Sequence, residues 1–241
     1  ESAMVLYELI LKHIVEFSIS ETQFSAIKDK TVRDYKNFAL SDAYQQTREI
    51  GMDLFMETKY SWEESLPIAE ATSLSEIEKF GKSLYNDTFL EVMVYGDFKE
   101  KDAKKVVTLF QDKTKTKGIE KSEAFNIKYL EFDGTETIQY VNNLLVNNSC
   151  FYREYLVGKD SPELRATTKV IGSALQQPFF TEMRTNQQLG YIVGSYPNNK
   201  EKSYYLSFLI QSDEYTADDV NERADKFISS TPKIFEEMDI E

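Results

Sequence analysis

The sequence predicts an α+β fold with mainly antiparallel sheets, and three observations support this prediction. Apolar residues recur at helical spacing through most of residues 3–110, whereas β-rich alternating segments are concentrated after residue 126. No glycine-rich loop of the form G-x-G-x-x-G or G-x-x-x-x-G-K-[ST] occurs, which argues against a nucleotide-binding α/β protein. The 241 residues suffice for one large domain or two modest ones.

The first part of the chain is predicted to be mainly helical. Apolar periodicity and capping residues predict helices over residues 3–17, 20–38, 41–55, 73–85 and 102–110. An alternating β-rich run predicts one strand over Phe89–Gly96. Trp62 is expected in a loop, and Ser65–Ala69 in a short turn or helix.

A linker is predicted next, and the pattern changes after it. Residues 113–118 contain no apolar side chain and end in glycine. Strands are then expected over residues 126–132, 137–147, 150–157, 191–196 and 204–211, with a turn at 197–200. Helices are expected from Ser161-Pro162-Glu163 to about Gln176, from Pro178 to Gly190, and over Thr216–Glu237.

The composition excludes several functions. Acidic residues outnumber basic ones by 41 to 28, and the resulting net charge of −13 disfavours nucleic-acid binding. No apolar run reaches the roughly 20 residues that span a bilayer, and the amphipathic start at Met4–Lys12 does not resemble a signal peptide. One cysteine and one histidine exclude an internal disulfide, a cysteine-based zinc site and any metal site built on two histidines.

Two sets of chemically reactive side chains are better explained by structural roles than by catalysis. Cys150 and His13 are available as a thiol nucleophile and its base. However, Cys150 is expected in a strand, where thiols mostly serve packing, and His13 on the apolar face of a helix, so a cysteine hydrolase is only a third hypothesis. Adjacent acids on a helix do not face one another, so a solvated surface is expected for the pairs Glu63-Glu64, Asp218-Asp219 and Glu236-Glu237.

Residues 179–193 carry the strongest functional signal. A helix ends in Gln-Gln-Leu-Gly and passes directly into a strand that begins with Tyr191. Arg184 and Tyr191 can point into one cleft at this junction, where a guanidinium and a hydroxyl can grip a carbonyl or carboxylate, or stabilise an oxyanion. The alternative, which the spacing alone favours, is that Arg184 pairs with Glu182 or another acid while Tyr191 packs in the sheet.

The run Met183-Arg184-Thr185-x-x-Gln188-Leu189-Gly190-Tyr191-Ile192-Val193 resembles a family signature. It is similar to a segment in the fourth of the four homologous domains of the pitrilysin/insulinase family of zinc metallopeptidases. Residues 208–212 look similar too, and residues 1–112 resemble the back half of the third domain. The match is to the long single-chain branch, because the two-subunit processing peptidases carry a shorter Arg…Gly-Leu-x-Tyr version.

The resemblance implies a domain organisation and a role for two residues. It implies two partial, homologous α/β-sandwich domains of the pitrilysin/mitochondrial processing peptidase (LuxS-like metallohydrolase) type: residues 1–115 as the back half of the third domain, 116–125 as a linker and 126–241 as the front part of the fourth. Family members close two halves around a peptide. Their N-terminal half binds zinc through H-x-x-E-H, and their C-terminal half contributes an arginine and a tyrosine that grip the substrate backbone, here Arg184 and Tyr191 by residue match.

The sequence departs from the family at the metal site. It contains no H-x-x-E-H motif, so the chain is expected to be inactive alone. The first hypothesis is therefore part of the non-catalytic half of a zinc-dependent endopeptidase. Its partners would be peptide substrates and the N-terminal catalytic half of the same protein, with zinc as the cofactor of the complete enzyme. The second is a catalytically dead peptide-binding or assembly module of the same fold. An H-x-x-E-H motif upstream, or in a partner chain, would discriminate between them.

Overall fold

A computed structural model describes residues 2–132 and 135–237, and its helices and strands confirm the α+β class. In chain order the elements are α1 (Ser2–Val15), α2 (Glu21–Phe38), α3 (Ala43–Phe55), α4 (Trp62–Ala71), α5 (Leu74–Ser83), β1 (Asp87–Thr88), α6 (Glu100–Thr114), β2 (Lys117–Gly118), β3 (Ser149–Lys159), α7 (Pro162–Phe180), β4 (Ile192–Lys200), β5 (Ser203–Ser212) and α8 (Ala217–Glu237). A 3-10 turn at Lys121–Glu123 follows β2, and a π-helix at Thr181–Asn186 continues α7.

The chain forms two compact units. The first comprises Glu1–Tyr35 and Glu63–Ile127, and the second comprises Lys36–Trp62 and Lys128–Glu241. In the first unit α1 packs against α6, with Leu11 and Phe110 buried. Strands β1 and β2 pair in parallel over two residues each. As the sequence predicts, Ser73 caps α5: its hydroxyl accepts from the Glu76 amide, and the Glu76 carboxylate accepts from the Ser73 amide.

The second unit is built on a three-stranded antiparallel sheet in the order β3-β5-β4. One face of the sheet carries the core of the unit, which α7, the π-helix and α8 cover. Phe179 lies at its centre, with edge-to-face ring contacts of 5.1 Å to Phe208 and 5.2 Å to Phe227. Burial of such apolar side chains is the main stabilising term in folding. Met183 and Leu189 belong to this core, so the core fixes the position of residues 183–189, which lie in the segment with the strongest functional signal in the sequence.

The other face of the sheet is covered by α3 and carries a buried polar network. The Glu154 carboxylate accepts hydrogen bonds from the Tyr152 hydroxyl at 2.6 Å, from Asn198 at 3.0 Å and from Ser207 at 3.3 Å, and it pairs with the Lys200 ammonium. Both charged side chains are over nine-tenths buried. The ammonium also lies 3.5 Å from the centroid of the Phe55 ring at the end of α3. This charged pair is therefore part of how α3 is held on the sheet.

Three predicted strands are not strands in the structure. Residues 89–96 and 137–147 form no ladder, and residues 126–132 contribute only an isolated bridge between Tyr129 and Met56. A β-rich alternating pattern records suitability for a pleated, half-buried surface, and it becomes a strand only where a neighbouring strand supplies hydrogen bonds. The described residues give residues 89–96 and 137–147 no such neighbour, and they give residues 126–132 only the one bridge.

Three further local predictions are wrong. Trp62 begins α4 instead of lying in a loop. Residues 197–200 form the end of β4 instead of a turn, and the turn is made by Glu201, which has a left-handed backbone with φ at 50°. Pro197 is tolerated in β4 because β4 is an edge strand. The sequence predicts that a new helix starts at Pro178, but α7 runs through this residue without a break. Leu175 before the proline and Phe179 and Met183 after it are buried. The free energy of burying them outweighs the cost of the backbone hydrogen bond that proline, which has no N–H, cannot make. The predicted division into two homologous domains, residues 1–115 and 126–241, joined by a linker at 116–125, stays a prediction.

Candidate functional site

The candidate site lies where the π-helix passes into β4. A π-helix holds one more residue per turn than an α-helix, and such turns are frequent at functional sites. Here the turn closes when the Gln187 amide donates to the Glu182 carbonyl at 3.0 Å and the Leu189 amide donates to the Met183 carbonyl at 2.9 Å. Met183 and Leu189 are fully buried, so the turn is anchored in the core at both ends.

Two backbone constraints complete the corner. Gln188 is left-handed, with φ at 54°, a conformation that costs free energy for a residue other than glycine. Gly190 lies so close to β5 that a Cβ there would be 1.8 Å from the carbonyl oxygen of Gln211. Only glycine fits this approach without moving the backbone. The Leu-Gly pair in the sequence thus has a direct structural reason.

Arg184 is half-buried, and its own corner fixes it in place. Its Nη1 donates to the carbonyl of Gly190 at 3.1 Å and also to the carbonyl of Tyr191. Its guanidinium carbon lies 4.3 Å from the centroid of the Tyr191 ring and 5.7 Å from that of the Phe180 ring. Two carbonyls and two rings therefore fix the orientation of the guanidinium plane.

Tyr191 is 78% exposed, so it presents its ring and hydroxyl to solvent instead of packing in the sheet. Glu182 is engaged with its own neighbours, because it accepts from Asn186 and from Gln187, each at 2.8 Å. The hydrogen bond from Asn186, and to a smaller extent that from Gln187, lowers the pKa of the Glu182 carboxyl and keeps it ionised. The structure thus brings Arg184 and Tyr191 together, while the predicted alternative of an Arg184–Glu182 pair is not formed.

The remaining reactive residues have structural explanations. Burial raises the pKa of the Cys150 thiol to about 11, so it is un-ionised at neutral pH and a poor nucleophile. His13 is exposed on α1 instead of lying on a packed apolar face. The acidic pairs at 63–64, 218–219 and 236–237 are exposed, as expected. In residues 2–132 and 135–237, no group of three or more His, Cys, Asp or Glu side chains is arranged to hold a metal ion. None of the helices in this part of the chain has both the length and the apolar character to cross a bilayer.

Sequence reasoning missed the polar residues behind the corner. Glu182, Gln187 and Arg223 form a connected set of hydrogen bonds, in which Arg223 Nη1 donates to Gln187 Oε1 at 2.9 Å. Gln187 follows Arg184 by three residues, and that spacing is a weak signal of proximity. Arg223 lies 36 residues further along the chain on α8, and no local pattern connects it to the corner.

Two family models match parts of the chain. Residues 1–67 match the middle or third domain of peptidase M16, and residues 170–241 match domain 4 of the C-terminal lobe of the PQQ synthase PqqF-like proteins. In its fold the chain matches the crystal structure of pitrilysin with a TM-score of 0.77 at 18% identity, over 100% of this chain and 25% of that one. The fold of the chain is therefore pitrilysin-like.

Curated relatives extend the match along the chain. The A-factor-processing enzyme of Saccharomyces cerevisiae is 25% identical, covering 99% of this chain and 24% of that protein. Human insulin-degrading enzyme is 23% identical over 97% of this chain and 23% of its own length. The chain thus spans about a quarter of the length of these relatives. Together these matches make the chain similar to the pitrilysin/insulinase family of metallopeptidases, which is the family that residues 183–193 resemble.

Proposed function

We propose that this chain is a substrate-binding, non-catalytic part of a zinc-dependent endopeptidase that degrades peptides. The observation that carries the proposal is the pairing of Arg184 with Tyr191 at an exposed, preorganised corner. The names of two relatives support it, since one is a processing enzyme for A-factor and the other an insulin-degrading enzyme. These names describe the complete relatives, and this chain corresponds to about a quarter of each.

The two side chains offer complementary donors to a peptide backbone. The described hydrogen bonds of Arg184 both start from Nη1, which leaves Nε and Nη2 to donate to a substrate carbonyl. The exposed hydroxyl of Tyr191 can donate to a second carbonyl, or to the oxygen that becomes negative as the scissile bond is attacked. Donors that are already oriented stabilise such charge at little cost in reorganisation.

Zinc is the cofactor that the family implies, and this chain does not fit it. The sequence holds one histidine and one cysteine, and the described residues contain no metal-binding cluster. Zinc would therefore be bound by residues outside this chain. The role proposed for Arg184 and Tyr191 is to bind and orient the peptide, and this role does not depend on how the metal is held.

The test is hydrolysis of an internally quenched insulin B-chain peptide by the complete protein that contains this chain. Tyr191→Phe should lower kcat/KM by about 10- to 1,000-fold, the range for loss of one hydrogen bond to a transition state. Tyr60→Phe is the matched control, because Tyr60 is 75% exposed and lies outside the corner. Kinetics that are unchanged by Tyr191→Phe would remove this hydroxyl from the mechanism. A complete protein that binds the peptide without hydrolysing it, and that lacks H-x-x-E-H, would instead support a dead peptide-binding module.

A further inference from the structure

A chain of hydrogen bonds connects α8 to the corner that carries Arg184. It begins at Arg223, whose half-buried guanidinium donates through Nη1 to Gln187 Oε1 at 2.9 Å. The same guanidinium lies 4.7 Å from the centroid of the Tyr215 ring, at the entrance to α8. A planar guanidinium that is stacked on a ring and bonded at one edge has little freedom to reorient. Arg223 is therefore a fixed donor aimed at Gln187.

Gln187 passes this constraint into the π-helix. Its side-chain Nε2 donates to Glu182 Oε1 at 2.8 Å, and its backbone amide donates to the Glu182 carbonyl at 3.0 Å. Asn186 donates to the other carboxylate oxygen of Glu182, also at 2.8 Å. The two ends of the turn are thus joined through Glu182, and Gln187 is held at both ends of its amide.

The direction of the Arg184 side chain depends on this turn. Arg184 lies between Glu182 and Gln187, inside the turn that their bonds close. If the turn relaxed to α-helical geometry, the residues after it would rotate by about 100°, the angle per residue of an α-helix. The carbonyls of Gly190 and Tyr191 would then no longer face the guanidinium that donates to them.

We infer that Arg223 is a positioning residue for the Arg184–Tyr191 corner and that it acts through the Gln187 amide. Arg223 does not need to touch the peptide. Arg223 holds the π-helix closed, and the closed π-helix orients Arg184 toward the bound substrate. This inference rests on the proposed function, because it specifies how the same peptide-binding site is kept in its binding geometry.

The experiment measures the Kd of the complete protein for the insulin B-chain peptide by fluorescence anisotropy, with EDTA present so that no turnover occurs. Arg223→Met and Gln187→Met should each raise Kd about tenfold, since small displacements of positioning groups cost one to two orders of magnitude. The double variant should be no weaker than either single variant, because both break the same connection. Arg223→Lys keeps one donor and should recover part of the loss.

Controls separate positioning from a loss of folded protein. Lys226→Ala is the matched control, since Lys226 lies on the next turn of α8 in an exposed pair with Glu222 and should leave Kd unchanged. Unfolding would lower the amplitude of the binding curve, whereas a displaced corner raises Kd itself. Additive losses in the double variant, or an unchanged Kd for Arg223→Met, would overturn the inference.

Arg184→Ala distinguishes failure of the inference from failure of the proposed function. If Arg184→Ala raises Kd while Arg223→Met does not, the result supports the peptide site and contradicts the positioning role of Arg223. If Arg184→Ala also leaves Kd unchanged, the corner is not a peptide site, and both proposals fall together. Kd should rise for both variants.

Discussion

Gly190→Ala is the sharpest test of how the corner is built. The added Cβ would lie 1.8 Å from the carbonyl oxygen of Gln211, 2.9 Å from its carbonyl carbon and 3.2 Å from the Cα of Ser212. All three atoms belong to the backbone of the central strand β5, so no side chain can rotate away. Reaching ordinary van der Waals separation requires a displacement of about 1.5 Å.

The displacement would reach beyond the corner. The side chain of Gln211 accepts a hydrogen bond at 2.8 Å from the backbone amide of Tyr44 in the first turn of α3, so moving Gln211 also disturbs that contact. Overpacking against side chains costs roughly 1–3 kcal/mol, and a rigid backbone places this substitution at or above about 3 kcal/mol. With a urea dependence of about 2 kcal/mol per molar, the unfolding midpoint should fall by about 1.5 M.

Urea unfolding followed by circular dichroism measures the midpoint, and hydrogen exchange of residues 208–212 locates the change. Gly194→Ala is the matched control, because Gly194 lies on the adjacent β4 and its Cβ would meet only Tyr196 Cδ1, at 3.9 Å. The reasoning is refuted if the two variants unfold at the same urea concentration, or if β5 remains as protected in Gly190→Ala as in the control.

Two further outcomes are expected. Burial raises the pKa of Cys150 from 9.0 to about 11, so iodoacetamide at pH 8 should alkylate it about 100-fold more slowly than an exposed cysteine. The alkylation rate should then rise about tenfold per pH unit toward pH 11. A rate at pH 8 equal to that of an exposed cysteine would contradict the burial of this thiol. Lys200→Met should cost about 3 kcal/mol in urea unfolding because it leaves Glu154 buried without its cation, and Glu154→Gln in the same chain should recover most of that loss. A double variant no more stable than Lys200→Met would show that the charge pair is not the cause.

The fold was predictable where burial follows sequence periodicity. Helix α8 begins and ends close to the predicted residues because Val220, Ala224 and Phe227 repeat at helical spacing and are all buried. The strands at 150–157 and 204–211 were predictable because each finds a partner in the same sheet. Residues 89–96 have the same pattern without a partner, and a single sequence does not reveal which strand will find a neighbour.

The sequence singled out Arg184 and Tyr191, which meet at the corner and whose role stays a prediction, but it did not reveal the residues that support them. Arg184, Gly190 and Tyr191 lie within eight residues, and a family resemblance draws attention to them. The π-helix was not predictable, because Pro178 suggests a break and nothing in the local composition specifies the extra residue in the turn. Arg223 was missed for a different reason: it reaches the site through tertiary packing.

The strain at the corner supports the proposed peptide site. A left-handed Gln188 and a π-turn both cost free energy, and such features persist only where the surrounding structure fixes them. Here Met183 and Leu189 fix them from the core side, while the polar contacts of Glu182 and Gln187 fix them from the other. The result is an arginine whose orientation is set before any ligand arrives. Immobilising a flexible side chain on binding costs roughly 0.5–1.5 kcal/mol, so in the proposed peptide site the fixed Arg184 would improve affinity by a comparable amount.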